Sequence, residues 1–261
     1  GGRLPNYSLK ITASDAVGTS LRKQVFHVQE LDVVLLHEDI GKAHYTASWG
    51  SIHHLMADLQ KRLWAAERPI AILGGSRWTA DAVAAFARVA ERFDLPVACS
   101  FRRQMLFDNL HPNYAGDVGI GINPKLTERI KSSDLVLLVG GRLSEMPSQS
   151  YSLLNIPEPD QALVHVHPDA EELGRVYRPT LAIHASPAAF CKAAEGLQPP
   201  TELKGAGGGA SAHEDYLAWS GARPETPGAL QMSGVMGVAR LSLSGQVPLT
   251  PGRSRIPNSS Y

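Results

Sequence analysis

Hydrophobic and polar positions alternate along the chain between a helical pattern and a buried-strand pattern. Residues 51–68 carry apolar side chains at helical spacing, with Ser51 as a candidate N-cap and Pro69 beyond the end. The run that follows, PIAILGGS, is continuously apolar and closes on a glycine pair, as expected of a strand buried on both faces of a parallel sheet. This helix and strand predict the start of an α/β domain.

The same alternation continues downstream. The further predicted strands are PVACSF (96–101), LVLLVGGRL (135–143), ALVHVHPD (162–169) and LAIHA (181–185), and the predicted helices cover 79–93, 123–134, 170–177 and 186–197. Strands that alternate with helices are typical of a parallel sheet covered on both faces. We therefore predict a doubly wound, Rossmann-like α/β domain of five to six strands.

Both ends of the chain lack this alternation. Residues 1–30 show no clear periodicity, and only LDVVLLHEDI (31–40) resembles a strand. Residues 198–212 have the composition of a Pro/Gly/Ser/Ala linker, with short helices predicted around 216–219 and 230–241. We expect irregular extensions on either side of the α/β domain.

Composition and charge narrow the class of protein. The hydrophobic fraction of 43% supports a buried core, and the 25 basic residues equal the 25 acidic ones, which argues against nucleic acid as a partner. Two separated cysteines indicate neither a disulfide framework nor a zinc site. No apolar run is long enough for a membrane span and no signal peptide precedes the domain, so we expect a cytoplasmic protein.

Two glycine-rich turns are candidate phosphate sites. Gly74 and Gly75 join a strand to a helix N-terminus, where backbone N–H groups and the helix dipole favour an anion, although the pair could equally form only a tight turn. The acidic residue that NAD-binding folds carry after the next strand is replaced by Arg102 and Arg103. The second candidate is a glycine-rich loop predicted over 113–124, which contains Gly119 and Gly121.

Polar residues also follow the two predicted strands at 135–143 and 162–169. Arg142 and Glu145 could contact a ligand at the carboxyl end of their strand or pair with each other. His165 and His167 share one strand face, and a metal is conceivable there, but without a third ligand we interpret them as polar residues near a strand end. No catalytic triad or HExxH arrangement can be assembled.

The succession of PIAILGGS, the long stretch from LPVACSFRRQ to GGRLSEMPSQSY, and HVHPDAEELGRVY resembles the central domain of acetolactate synthase-like thiamine-diphosphate enzymes. The resemblance extends from Leu31 to Met236. It implies three segments: 1–45 as the remnant of an N-terminal domain and linker, 46–198 as the central domain, and 199–261 as a linker and truncated start of a C-terminal domain. Because the family's motifs are not recognisable at either end of the chain, we expect a truncated or frame-disrupted gene product.

The resemblance also implies cofactors, partners and a nucleotide site. Thiamine diphosphate and magnesium would be bound by the flanking domains, whose motifs this sequence lacks, while the central domain could hold FAD or ADP. The implied nucleotide-site residues are Gly74, Gly75, Gly119, Gly121, Gly140, Arg142 and Asp169. GRLSEMPSQSY stands where acetolactate synthases have an arginine-phenylalanine-aspartate-aspartate motif, which disfavours FAD.

The resulting expectation is a non-catalytic central domain. Its parent enzyme would form or break a carbon–carbon bond of a 2-oxo acid, with the thiamine ylid as electron sink, and would assemble as a homo-oligomer. The alternative is a stand-alone nucleotide-binding or assembly module without enzymatic activity.

Overall fold

The computed structural model describes residues 9–14, 20–25, 38–39, 44–45 and 52–221, with side-chain environments from Leu55 onward. The chain divides into two compact units, Gly1–Tyr216 and Leu217–Tyr261. No helix in the described ranges is long and apolar enough to cross a membrane.

The main part of the first unit alternates strands and helices. Its strands are β5 (Pro69–Leu73), β6 (Val97–Ser100), β7 (Tyr114–Val118), β8 (Leu135–Val139), β9 (Ala162–His167) and β10 (Leu181–His184). Its helices are α1 (Ile52–Ala65), α2 (Ala80–Arg92), α3 (Pro124–Ser132) and α4 (Pro187–Ala194), and α5 (Gly208–Gly221) follows. Upstream, the short strands β1 (Leu9–Ser14) and β2 (Ser20–Val25) pair antiparallel, as do β3 (Glu38–Asp39) and β4 (His44–Tyr45).

Six strands form one parallel sheet in the order β10-β9-β8-β5-β6-β7. The chain therefore builds outward from β5 to β7, crosses back to β8 on the other side of β5, and builds outward again to β10. This is the strand order of dinucleotide-binding folds, with a topological switch point between β5 and β8. The predicted doubly wound α/β fold is confirmed.

Helices cover both faces of the sheet because the buried strands present apolar side chains alternately to each side. On β5, Ala71 and Leu73 face one core, which also contains the buried residues of α1, α2 and α4, while Ile70 and Ile72 face the other, with α3. Because each face of the strand packs against one of the two cores, the sequence of β5 is apolar at every position.

The predicted helix caps at Thr79 and Ser186 are present. Thr79 accepts a hydrogen bond from Ala82 N at 3.1 Å and Ser186 from Ala189 N at 3.2 Å. Asn123 caps α3 in the same way, accepting from Lys125 N at 3.0 Å. Capping groups satisfy N–H groups that the first helical turn leaves unpaired, so these helices begin where the sequence places them.

The prediction of a loop over 113–124 is wrong in its first half, because Tyr114–Val118 is the edge strand β7. The β6–β7 register shifts between Val97 and Ala98, and Gly116 has φ +114°. A bulge with a glycine interrupts the regular alternation by which strands are recognised. For that reason the sequence pattern did not predict this strand.

Other predictions also differ from the structure. The helix predicted over 170–177 is only a 3-10 turn at Ala170–Glu172, and residues 1–30 contain β1 and β2. The linker predicted over 198–212 is wrong at its end, since α5 begins at Gly208 and includes the short helix expected around 216–219. The Ser51 cap, the helix at 230–241 and most of the strand at 31–40 lie outside the described residues, and the three segment boundaries stay predictions.

The glycines at the start of α5 permit close packing. A Cβ on Gly209 would lie 2.3 Å from Asn113 Nδ2 and 2.6 Å from Asp94 Oδ1, whereas one on Gly208 would meet only ordinary contacts, the nearest 3.6 Å away. Asp215 on the same helix pairs with Lys125 at 2.7 Å and Arg129 at 2.9 Å. The glycine-rich composition therefore serves a docked helix here.

The adjacent variants Gly209→Ala and Gly208→Ala test this docking. We expect G209A to lower the free energy of unfolding by about 1–3 kcal/mol, because the added methyl overlaps Asn113 and Asp94. We expect G208A to leave it unchanged or slightly raised, because the site has room and alanine favours helix. Urea unfolding measures both, and equal effects of the two substitutions would contradict the docking.

Candidate functional site

The switch point between β5 and β8 is where this class of sheet binds ligands, at the carboxyl ends of the strands. Gly74 and Gly75 follow β5, and Gly140 and Gly141 follow β8. Because β5 and β8 are paired along their whole length, up to Leu73 with Val139, the two glycine pairs leave the sheet side by side.

The two glycine pairs touch backbone to backbone. A Cβ on Gly75 would lie 1.7 Å from Gly140 O, and one on Gly140 would lie 2.7 Å from Gly74 O. The indole N–H of Trp78 donates to Gly74 O at 2.8 Å. The space that the missing side chains leave is thus occupied by the neighbouring loop.

Gly119 and Gly121 follow β7, which β6 separates from β5. The sheet therefore does not place them beside the other glycines. A Cβ on Gly119 would lie 2.9 Å from the Phe101 ring, so this glycine makes room for that side chain. Gly121 has φ +73° and open space around it.

Arg142 and Asp169 lie at the carboxyl ends of β8 and β9, and both are exposed. Arg142 forms an ion pair with Glu172 at 3.7 Å, rather than the proposed pair with Glu145, and Arg175 joins the same carboxylate at 2.7 Å. Asp169 accepts a hydrogen bond from Glu171 N at 3.0 Å and so caps the 3-10 turn. Both predicted ligand residues have partners within the protein.

Glu172 was missed by the sequence reasoning. Its side chain is only 9% exposed and bridges two arginines. The spacing of Glu172 and Arg175, three residues apart in a segment predicted as helical, was the available signal. Its contact with Arg142 depends on the pairing of β8 with β9, so the local sequence could not predict it.

His165 and His167 are buried on the face of β9 that they share. The imidazole Nε2 of His165 hydrogen-bonds Gly141 O at 2.9 Å, and Asp169 N donates to His167 Nδ1 at 3.1 Å. Burial lowers the pKa of His165 from 6.5 to about 4 and also lowers the pKa of His167. Both rings are neutral at pH 7, and His165 supports the loop that carries the second glycine pair.

The two cysteines are buried, and desolvation raises the pKa of each thiol to about 12. A nucleophilic cysteine needs a thiolate near neutral pH. Neither Cys99 nor Cys191 offers one.

A cleft of about 390 Å³ lies at the opposite, amino-terminal edge of β5 and β6. Its lining residues include Pro69, Pro96, Lys125, Arg129 and Asp215. Burial alone would raise the pKa of the Asp215 carboxyl, but hydrogen bonds from Lys125 and Arg129 of α3 lower it. The cleft thus borders the contact that docks α5.

The strand order, switch point and glycine loops define a doubly wound domain of the dinucleotide-binding type. Residues 56–194, more than half of the chain, match the family described as thiamine pyrophosphate enzyme, central domain. The chain belongs to this family, whose cofactor is thiamine diphosphate, and the predicted family resemblance is confirmed.

Curated relatives match parts of the chain. Sulfoacetaldehyde acetyltransferase of Roseovarius nubinhibens is 31% identical over 115 residues, which cover 44% of this chain and 19% of that protein. A 3D-(3,5/4)-trihydroxycyclohexane-1,2-dione hydrolase of Clostridium perfringens is 32% identical over 100 residues, covering 38% and 16%. The chain therefore spans about a fifth or less of the length of these two relatives.

A crystal structure of a candidate thiamin diphosphate-dependent enzyme from Mycobacterium smegmatis is also similar. It aligns with a TM-score of 0.46 and 22% identity, covering 60% of this chain and 31% of that one.

The described residues provide no site for the magnesium ion of the family cofactor. No group of three or more His, Cys, Asp or Glu side chains that could hold a metal ion occurs among them. The glycine pairs leave little room for the phosphates of FAD or ADP. The space beside each pair, where a side chain would otherwise lie, is occupied by the backbone of the other loop.

Gly75→Ala and Gly121→Ala separate loop packing from backbone strain, since both glycines have positive φ. We expect G121A to cost about 1 kcal/mol of unfolding free energy from the strained backbone alone. We expect G75A to cost about 3 kcal/mol or more, because its methyl would also overlap Gly140 O. Similar losses in urea unfolding would show that the loop contact contributes little.

The buried histidines predict a pH dependence of stability. The folded-state pKa of His165 is lowered, so its contribution to stability is present above about pH 6.5 and is lost as the pH falls toward 4. Between pH 7 and 5 we expect a loss of about 2 kcal/mol from this group. His165→Gln cannot titrate and should flatten the profile of unfolding free energy against pH, whereas parallel profiles would rule out this origin.

Proposed function

We propose that this chain acts as the non-catalytic central domain of a thiamine-diphosphate enzyme, with an acetolactate synthase-like parent. That parent would form or break a carbon–carbon bond next to a carbonyl. The match of residues 56–194 to the family's central domain carries the proposal. When bound in a complete enzyme, thiamine diphosphate supplies the electron sink for such chemistry.

The contacts at the carboxyl edge support a structural role. Arg142 pairs with Glu172, Asp169 caps a turn, and His165 holds the loop after β8. A general acid or base works best with a pKa near the operating pH, whereas burial moves the pKa of His165 well below it. These groups are thus used to hold the strand ends together.

The activities for which the relatives are named also support a structural role for this domain. One is an acetyltransferase and the other a hydrolase, yet both share sequence with this domain. A domain common to enzymes of different reactions is suited to a framework, with the chemistry determined elsewhere.

Two measurements test the structural proposal. Isothermal titration of the 261-residue chain with FAD and with ADP should give no heat of binding. Incubation with pyruvate, thiamine diphosphate and magnesium should give no acetolactate, since the described residues offer no metal site. Formation of acetolactate, abolished by omitting thiamine diphosphate, would overturn the non-catalytic role.

A nucleotide-holding module is the second candidate, favoured by the exposed positions of Arg142 and Asp169 beside the switch point. In that case ADP or FAD would bind with measurable heat. Arg142→Ala should then weaken binding at least tenfold, because a charge-assisted bond to phosphate is lost. Arg68→Ala, at the opposite edge of the sheet, is the control.

A further inference from the structure

Strand β7 lies at one edge of the parallel sheet. Among the strands that the structure describes, β6 alone pairs with β7, so the other side of β7 has no strand beside it. An edge strand presents backbone N–H and C=O groups to which a strand of another chain can bond. A protein that keeps such an edge therefore needs an element that covers it.

Helix α5 covers this edge. The imidazole Nδ1–H of His213 donates to Tyr114 O at 3.0 Å, and Tyr114 N donates to His111 O at 2.9 Å. Both backbone groups of the first β7 residue are thus satisfied without a second strand. The Tyr216 ring lies edge-on to the Tyr114 ring, with the centroids 4.7 Å apart. A Cβ on Gly116 would lie 3.5 Å from Tyr216 Cδ2, so the helix also packs beside the middle of the strand.

The backbone of β7 gives the same edge a second form of protection. Gly116 has φ +114°, and the β6–β7 register shifts between Val97 and Ala98. Bulges are one of the devices by which natural proteins discourage pairing at an open edge. Two independent features therefore protect β7, its own irregular backbone and the helix packed along it.

Polar contacts hold α5 in place, in the absence of a large apolar face on this helix. Only two of its residues are buried, Gly209 and Ala212. Asp215 forms ion pairs with Lys125 at 2.7 Å and with Arg129 at 2.9 Å. Because the helix buries little apolar surface, its docking depends on a few polar bonds, and segments of this kind open at a lower free energy than the core does.

We propose that α5 is a releasable seal on the edge of β7, and that its release lets β7 pair with β7 of a second copy of this chain. Two copies of one strand pair about a two-fold axis, because each offers the same edge to the other. The docked helix is thus an autoinhibitory contact that blocks self-association while its polar bonds hold. The proposal goes beyond the structural role given above, since it identifies a face through which the domain associates and the element that controls this face.

Sedimentation velocity of the 261-residue chain over a range of concentrations tests the seal. Asp215→Lys replaces attraction to Lys125 and Arg129 by repulsion, so we expect the association constant to rise about tenfold or more over that of the unsubstituted chain. The matched control is Glu214→Lys, which makes the same change of charge at the neighbouring, exposed position. It should leave the association constant unchanged, and an equal rise in both variants would overturn the proposal.

Hydrogen exchange shows which segments respond. In dilute Asp215→Lys we expect the amides of α5 and of β7 to exchange faster than in the unsubstituted chain, because the helix has left the edge. As the concentration rises, the amides of β7 should regain protection while those of α5 stay open. Association with α5 still protected, or a released α5 without association, would overturn the proposal.

Two further variants separate release of the seal from general destabilisation. Ser186→Ala removes the cap of α4, so it should lower the thermal stability without increasing self-association. Asp215→Lys combined with Lys125→Glu and Arg129→Glu restores opposite charges and should restore the association constant of the unsubstituted chain. Association of Ser186→Ala as strong as that of Asp215→Lys would assign the effect to partial unfolding, and a triple variant that stays associated would show that these ion pairs do not hold the seal; either result would overturn the proposal.

Discussion

The loops after β5 and β8 meet backbone to backbone, and the carboxyl edge of the sheet is organised around this contact. Gly75 and Gly140 approach so closely that any side chain at either position would overlap the other loop. Trp78 bonds to the first loop, and Pro187, the first residue of α4, packs against the second. The starts of two helices are therefore positioned by one contact between glycines.

This contact divides the carboxyl edge into two halves of different character. In the half formed by β8, β9 and β10, Glu172 forms ion pairs with two arginines, and the buried His165 and His167 stay uncharged. In the half formed by β5 and β6, Arg77, Arg102 and Arg103 are exposed.

Glycine serves different purposes in different parts of this chain. At the switch point it permits positive φ and the close approach of two loops. At Gly209 it lets α5 pack on Asn113 and Asp94, where the composition alone indicated a flexible linker. Counting glycines does not distinguish these uses, because the distinction depends on what lies opposite each one.

The sequence by itself determined the fold class, the family and the central elements. Strands β5 and β8 are continuously apolar, β9 and β10 are largely so, and Thr79 and Ser186 cap their helices locally. The sequence could not show β7, whose bulge breaks the pattern, or α5, whose glycines read as a linker. It also could not pair Arg142 with Glu172 or bring Gly75 against Gly140. Those contacts join residues far apart in the chain, and only the order of strands in the sheet decides which of them meet.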